Sequence, residues 1–359
     1  MTAASDPQSL RRRALQWYDA NARALPWRRP PGAQGRVDPY RVWLSEIMLQ
    51  QTTVPHATPY FQRFTETWPS VEALAAADRE AVMAAWAGLG YYSRARNLHA
   101  CARDVAALGG FPDTLAGLKA LPGIGEYTAA AIAAIAFDRA VVPLDGNIER
   151  VVARLFALDA PLPRAKPAFR KAAQVFAAEE RPGDLAQALM DLGAQICTPK
   201  SPSCGLCPLR EGCAAYSEGR PEAYPVKAAK KDRPTRSGVA FWLTKGRSVL
   251  LRRQPDKGLL GGMWLPPSTP WETGGWSEAE ALSHAPAAAE WEGLNGEVRH
   301  VFTHFALTLS IWRAEAPDGF APGEAERFVA LRDLDQAGLP SVGKKVWKLA
   351  QIETGRGPS

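Results

Sequence analysis

At 359 residues, 46% of them hydrophobic, the chain is long enough to bury a sizeable core and to divide into two domains. Its net charge of +6 suits a polyanionic partner without demanding one, because many proteins that never meet nucleic acid are as basic. No run of about eighteen apolar residues occurs, and the opening MTAASDPQSLRRRALQ lacks the apolar stretch of a secretory leader, so a soluble, intracellular protein without membrane association is expected.

From Leu10 to Ala194 the chain is rich in Ala and Leu, with apolar residues at helical spacing in VEALAAADREAVMAAWAGL and NLHACARDVAAL. Pro69, Gly88, Gly90, Pro112, Pro122, Gly123, Gly125 and Pro143 punctuate it, which predicts short helices joined by tight turns. In RVWLSEIMLQQT, Glu46 shares a helix face with Trp43 and Leu49 and is flanked by Ile47 and Met48. Desolvation there raises a carboxyl's pKa, which fits either a general acid or a buried Glu paired with Arg41. Tyr91, Tyr92, Arg94 and Arg96, in YYSRARNL, read either as a core aromatic pair beside a solvated Arg face or as residues that meet DNA.

Next comes LKALPGIGEYTAAAIAAIAF, in which Gly123 and Gly125 permit backbone conformations and close approach that a side chain blocks. Amides at the start of the following helix can then hold a phosphate, although an ordinary helix–helix connection has the same pattern. In VVPLDGNIERVVARL, Asp145 is placed to cap a helix, whose dipole favours the ionised form. A capping carboxylate there is also suited to stabilising a sugar cation.

Four of the five cysteines crowd into one loop, Cys197, Cys204, Cys207 and Cys213, separated by six, two and five residues. Thiolates this close can wrap one zinc ion or one [4Fe-4S] cluster, and the single CxxC with uneven outer spacings favours the cluster. Cys101, within an apolar helical run, reads as a small core residue. The segment 214–237 turns polar and carries Lys227, Lys230, Lys231, Arg233 and Arg236, a linker able to touch phosphates. Beyond it, GVAFWL, SVLLRRQ, EVRHVFTHFALTLSIWRA and RFVAL read as strands of a second, mixed domain that ends in a helix near Lys344 to Ile352.

Taken together, WLSEIMLQQT, LPGIG, LDGN, the cysteine spacing and Phe302-Thr303-His304 resemble the MutY family of iron–sulfur adenine DNA glycosylases, within the helix-hairpin-helix or endonuclease III superfamily. The resemblance covers almost the whole chain. It implies a multidomain fold: an all-α helix-hairpin-helix glycosylase domain over 1–220 with a [4Fe-4S] loop at 197–213, a basic linker over 221–236, and an α+β Nudix-like domain over 237–359 that recognises 8-oxoguanine. Residue by residue it assigns Glu46 as the acid, Asp145 as the carboxylate facing the sugar, Asn147 as the side chain that orients both, and Tyr127 as the tyrosine found there in part of the family. It places Gln51 and Tyr91 as wedges in the duplex, counts Leu49, Arg94, Gly123 and Gly125 among the residues that bind DNA, and gives lesion reading to Phe302, Thr303 and His304, with Thr303 where Ser is more common.

Bifunctional relatives carry a Lys where this chain has Tyr127, and some MutY proteins carry one at the position of Glu149, so base release without strand scission is implied. The acidic helix of active Nudix enzymes, REx2Ex2G, is missing from the sequence, so no nucleotide pyrophosphatase activity is expected. The implied partner is double-stranded DNA containing 8-oxoguanine:adenine or guanine:adenine, bound by a monomer in the cytoplasm, on the nucleoid of a bacterium. Two rival readings remain: a related glycosylase for mismatched thymine or uracil, and a non-catalytic iron–sulfur DNA-binding protein.

Overall fold

The computed structural model describes residues 6–33, 35, 37–226, 228, 233–255, 258–302, 304–335 and 337–352. Thr303 and the linker residues Lys227, Lys230 and Lys231 lie outside them. Among the described residues, no helix is long and apolar enough to cross a membrane.

Side-chain caps start many of the helices. Asp6 caps α1 (Pro7–Asn21) and Asp38 caps α2 (Pro39–Leu49), each accepting a backbone N–H and each followed by proline in the first turn. After α3 (Val54–Thr67), Ser70 and Asp78 cap α4 (Val71–Ala76) and α5 (Arg79–Ala85). Then come α6 (Ser93–Ala107) and α7 (Leu115–Lys119), the latter capped by Thr114, and α8 (Glu126–Phe137). Asp145 caps α9 (Gly146–Leu155), and α10 (Lys166–Ala173) and α11 (Pro182–Asp191) follow. A π-turn over Leu192–Ile196 leads from α11 into the cysteine loop, which ends at α12 (Ala214–Ser217).

Helix α8 sits at the centre of this part of the chain. Every residue from Thr128 to Ala136 is buried, as expected of a helix apolar on all sides, and it packs against both α2 and α11. Its small side chains permit close approach: a Cβ on Gly183 of α11 would lie 2.9 Å from the Ile135 Cα. A second core joins α1, α9 and α11 and reaches Cys197, Cys207 and Cys213.

The chain divides into two compact units, Met1–Leu89 with Arg94–Ala229, and Lys230–Ser359 with Gly90–Ser93. Tyr224 is buried in a helical-unit cluster with Ala153 and Phe169, and strand β1 begins at Thr235, so both ends of the 221–236 stretch carry ordered structure.

The second unit is one mixed sheet. Strands β1 (Thr235–Lys245), β2 (Ser248–Arg253), β3 (Trp264–Leu265), β4 (Glu292–Val301), β5 (Ala306–Glu315) and β6 (Glu326–Ala330) run in the order β3-β2-β1-β5-β4, with β6 also paired to β2. Among the described residues only β1 and β5 are parallel, in register from Thr235–Ala306 to Thr244–Glu315, and the other pairings are antiparallel. The short helix α13 (Glu278–Leu282) and the terminal α14 (Ser341–Ile352) complete it; Val342, Val346 and Ala350 of α14 join the sheet's core. The four strand runs read from the sequence correspond to β1, β2, β4 with β5, and β6. The two-residue β3 carries no alternation and so no strand signal in the sequence.

Candidate active site and cysteine loop

The helical unit opens into a cleft of about 560 Å3 lined by the C-terminal end of α2, the first turn of α8 and the start of α9. Glu46 and Leu49 reach it from α2, Gln51 from the turn after it, Tyr127 from α8, and Asp145 and Asn147 from the start of α9, so residues far apart in sequence share one cleft. Gly123, Gly125 and Arg94 are not among its lining residues.

Glu46 is 7% exposed. Burial raises its carboxyl, a hydrogen bond from Tyr127 opposes that, and the smaller effects of the Asp145 charge, which raises it, and the Arg28 charge, which lowers it, leave it at about 7. That bond runs from the Tyr127 hydroxyl to Glu46 Oε2 at 2.7 Å. Burial, and then the charges of Glu46 and Asp145, hold the Tyr127 hydroxyl well above its ordinary value, so it stays a neutral donor. The Arg41 alternative is not realised: its guanidinium donates to the Pro26 carbonyl at 2.9 Å and lies 5.1 Å from the centre of the Phe61 ring.

Asp145 accepts the Ile148 N–H on Oδ1 at 2.7 Å and the Asn147 amide on Oδ2 at 2.9 Å, so both carboxylate oxygens are fixed. Its pKa departs from the sequence expectation. The cap bonds and the dipole favour ionisation, but burial in the cleft outweighs them and raises the carboxyl above its ordinary value. Desolvation depends on what packs from other elements, which a cap pattern does not reveal.

Three further parts of this site escaped the sequence reading. Arg150 donates to Asn147 Oδ1 at 2.9 Å, to the Gly193 carbonyl at 2.5 Å and to the Cys197 carbonyl at 2.6 Å, so α9 ties the Asp145 side of the cleft to the cysteine loop. Four residues on, buried Arg154 donates to Cys197 Sγ at 3.3 Å and to the Thr198 carbonyl at 2.7 Å. Their i,i+4 spacing was the available signal. On the opposite side, fully buried Asp191 holds Arg23 at 2.6 Å and Arg28 at 2.7 Å, and both arginines line the cleft. Finally Lys166 also lines it, its ammonium 3.4 Å from Glu149. An amine is therefore present even though Tyr127 is not one.

Arg94 has a packing role. Only 9% exposed, it donates to the carbonyls of Ile47, Met48 and Gln50 at the end of α2 and to that of Leu89, and its guanidinium sits over Trp86. It caps the C-terminal end of α2. What it braces is the turn where Gln51 adopts a left-handed φ of 57°. Tyr91 also has a left-handed φ, 49°, and is 56% exposed, so both expected wedges sit in the strained backbone that tends to mark working residues.

The two glycines between α7 and α8 serve different ends. Gly123 has φ 75°, and a Cβ there would lie 2.8 Å from that of Asn97, so the turn itself needs glycine. At Gly125, the N-cap of α8, a Cβ would meet nothing within 4 Å, and the helix start stands open to an incoming anion.

Cys197, Cys204, Cys207 and Cys213 are free thiols around one small cavity of about 30 Å3, whose lining is otherwise largely apolar apart from Arg154 and Arg210. Burial pushes the Cys207 thiol up to about 12 and raises those of Cys204 and Cys213, so bare thiolates are disfavoured there and a bound cation would compensate. Four soft donors ringing one space suit an iron–sulfur cluster, and Arg13 of α1 adds an ion pair to Glu211 of the loop at 2.6 Å.

In the second unit, Phe302 is half-buried and His304 exposed at the turn between β4 and β5. Thr303 lies outside the described residues.

Comparison with known proteins agrees with this geometry. Residues 44–177 match the HhH-GPD superfamily base excision DNA repair proteins, 197–213 the iron–sulfur binding domain of endonuclease III, and 239–349 the NUDIX domain. Fold and site thus define a DNA glycosylase with an iron–sulfur cluster loop, a [4Fe-4S] site, and an appended Nudix-like domain. The chain is 34% identical to an adenine DNA glycosylase of Mus musculus over 96% of its own length and 78% of the relative's, and 30% identical to one of Schizosaccharomyces pombe over 96% and 89%. It therefore belongs to the adenine DNA glycosylase family. Among solved structures it is similar to a thermostable thymine-DNA glycosylase, at 27% identity and a TM-score of 0.53, over 59% of this chain and 97% of that one. With relatives in mouse and fission yeast, the similarity does not support the expected bacterial source.

Proposed function

We propose that this glycosylase hydrolyses the bond between adenine and deoxyribose in duplex DNA where the adenine lies opposite 8-oxoguanine or guanine, and that it leaves an abasic site with the strand intact. The observation that carries the reading is the pair of carboxyls on one cleft: Glu46, pushed up to about 7 and so partly protonated near neutrality, and Asp145, held by Asn147 and the Ile148 amide.

Glycoside cleavage needs one acid to assist the leaving group and one carboxylate to face the oxocarbenium-like centre. Glu46 donates its proton to a ring nitrogen of an extruded adenine, and the electron pair of the glycosidic bond leaves with the base. Asp145 stabilises the cation at C1′, water adds there, and the water's proton returns to a carboxylate of the site. Asn147 holds Asp145 in place from one side, and Arg150 holds Asn147 from the other. Gln51 and Tyr91 fill the space the base vacates. The cysteine loop, loaded with its cluster, supplies rigidity that Arg150 and Arg154 pass to α9. In the second unit, the Phe302-Thr303-His304 segment reads the base opposite adenine.

A panel of duplexes assayed under single-turnover conditions tests the assignment. Adenine alone should be released, fastest opposite 8-oxoguanine, with no strand break before alkali. Release of thymine or uracil from mismatches would move the protein to the rival substrate class, and no release of any base would leave a DNA-binding protein.

A further inference from the structure

The turn between β4 and β5 stands on two aromatic posts. Phe302 donates its N–H to the Phe305 carbonyl at 2.9 Å, and the two rings are 4.9 Å apart. Trp271, from a segment outside both strands, stacks on Phe302 with centroids 5.6 Å apart and planes 28° from parallel, and it also touches Phe305 at 6.4 Å. Arg236 covers Phe305 at 4.6 Å, and His300 meets Phe302 edge-on at 4.5 Å.

The seat of Trp271 is built into the sheet. Its segment runs antiparallel to β1: the Ser237 N–H donates to the Glu272 carbonyl at 2.8 Å, and the Val239 N–H to Thr269 Oγ1 at 3.0 Å. Between them Gly238 leaves the space, since a Cβ there would lie 2.9 Å from Trp271 Cδ1. The indole N–H is buried without a hydrogen-bond partner among the described residues, so hydrogen bonding does not explain a Trp at this place. Shape does, because a flat ring of this size spans both posts.

We propose that Trp271 is a specificity-determining positioning residue: seated over Gly238 and stacked on Phe302, its indole sets the orientation in which the β4–β5 turn presents His304 to the base opposite the excised adenine. The inference rests on the reading of that turn as the lesion reader. It predicts that the residue acts on the choice between opposing bases and not on the chemistry of excision.

The test uses the full-length protein and the ratio of single-turnover adenine release rates opposite 8-oxoguanine and opposite guanine. Trp271→Ala should lower that ratio by about 3- to 10-fold, the scale of one aromatic contact. Gly238→Ala should lower it with Trp271 still present, because the new methyl displaces the ring, and Trp271→Phe should restore most of it. A purely structural role would slow both reactions together and leave the ratio at the wild-type value, which overturns the inference alone. Equal losses in Trp271→Phe and Trp271→Ala overturn the stacking argument. A wild-type ratio near one overturns lesion reading itself, and this inference with it.

Discussion

Replacing Tyr127 by Phe removes the donor that favours the charged form of Glu46, and the effect on pH dependence has a definite sign. In the proposed mechanism Glu46 acts in its protonated form, so the rate falls as pH rises through its pKa. A rise from 4.5 to about 7 is worth about 3 kcal/mol and comes chiefly from burial. Release should therefore be roughly tenfold slower at pH 8 than at pH 6. The Tyr127 bond opposes that rise. A hydrogen bond to a charged group is worth about 1.5–3 kcal/mol, so its loss should move the alkaline limb upward by about one pH unit or more. Single-turnover rates between pH 5 and 9 for both proteins check this. An alkaline limb that stays in place or moves down in Tyr127→Phe would refute the claim that the tyrosine restrains a protonated Glu46.

Four other outcomes follow from the geometry. At low pH, protonation of Asp145 should slow release, with an acid limb above the ordinary range for aspartate because burial raises its carboxyl; a rate flat to the lowest pH tolerated contradicts this. Borohydride trapping of a protein–DNA adduct should be negligible in the wild type, should rise in Glu149→Gln, which frees the Lys166 amine, and should vanish again when Lys166→Ala is added; trapping in the first variant at the wild-type level rejects the reasoning. Gly123→Ala should lower Tm by several degrees through its left-handed φ and its contact with Asn97, whereas Gly125→Ala should leave Tm within about one degree while weakening DNA binding; equal thermal effects would show that the two positions are not distinct. Arg150→Met should reduce both iron and sulfide content and the rate of release, because one side chain holds Asn147 and the cysteine loop; a slower enzyme with full iron would confine its role to the cleft.

Helical periodicity and turn residues carried most of the first unit, and the apolar flanks of Glu46 were enough to foresee its burial. The cysteine spacing, being local, was equally legible. What escaped depends on partners distant in the chain. Tyr127 meets Glu46 across 81 positions, and Arg23 meets Asp191 across 168. Arg94, beside two tyrosines, looks like a surface contact in sequence, and only the fold reveals the carbonyls of α2 that it caps. Asp145 was read from its cap alone, so the desolvation imposed by the rest of the cleft was missed. In the second unit, Gly238 and Trp271 are separated by the rest of β1 and by β2 and β3, and neither residue signals the other.

The central claim is that the acid at position 46 and the carboxylate at position 145 converge on one extruded nucleotide. A crystal structure of the protein on a duplex carrying a non-hydrolysable adenosine analogue opposite 8-oxoguanine tests it most directly. The account predicts the base in the cleft, with a ring nitrogen within hydrogen-bonding distance of Glu46 and C1′ facing Asp145. A base still stacked in the duplex, or one seated away from either carboxyl, would contradict it.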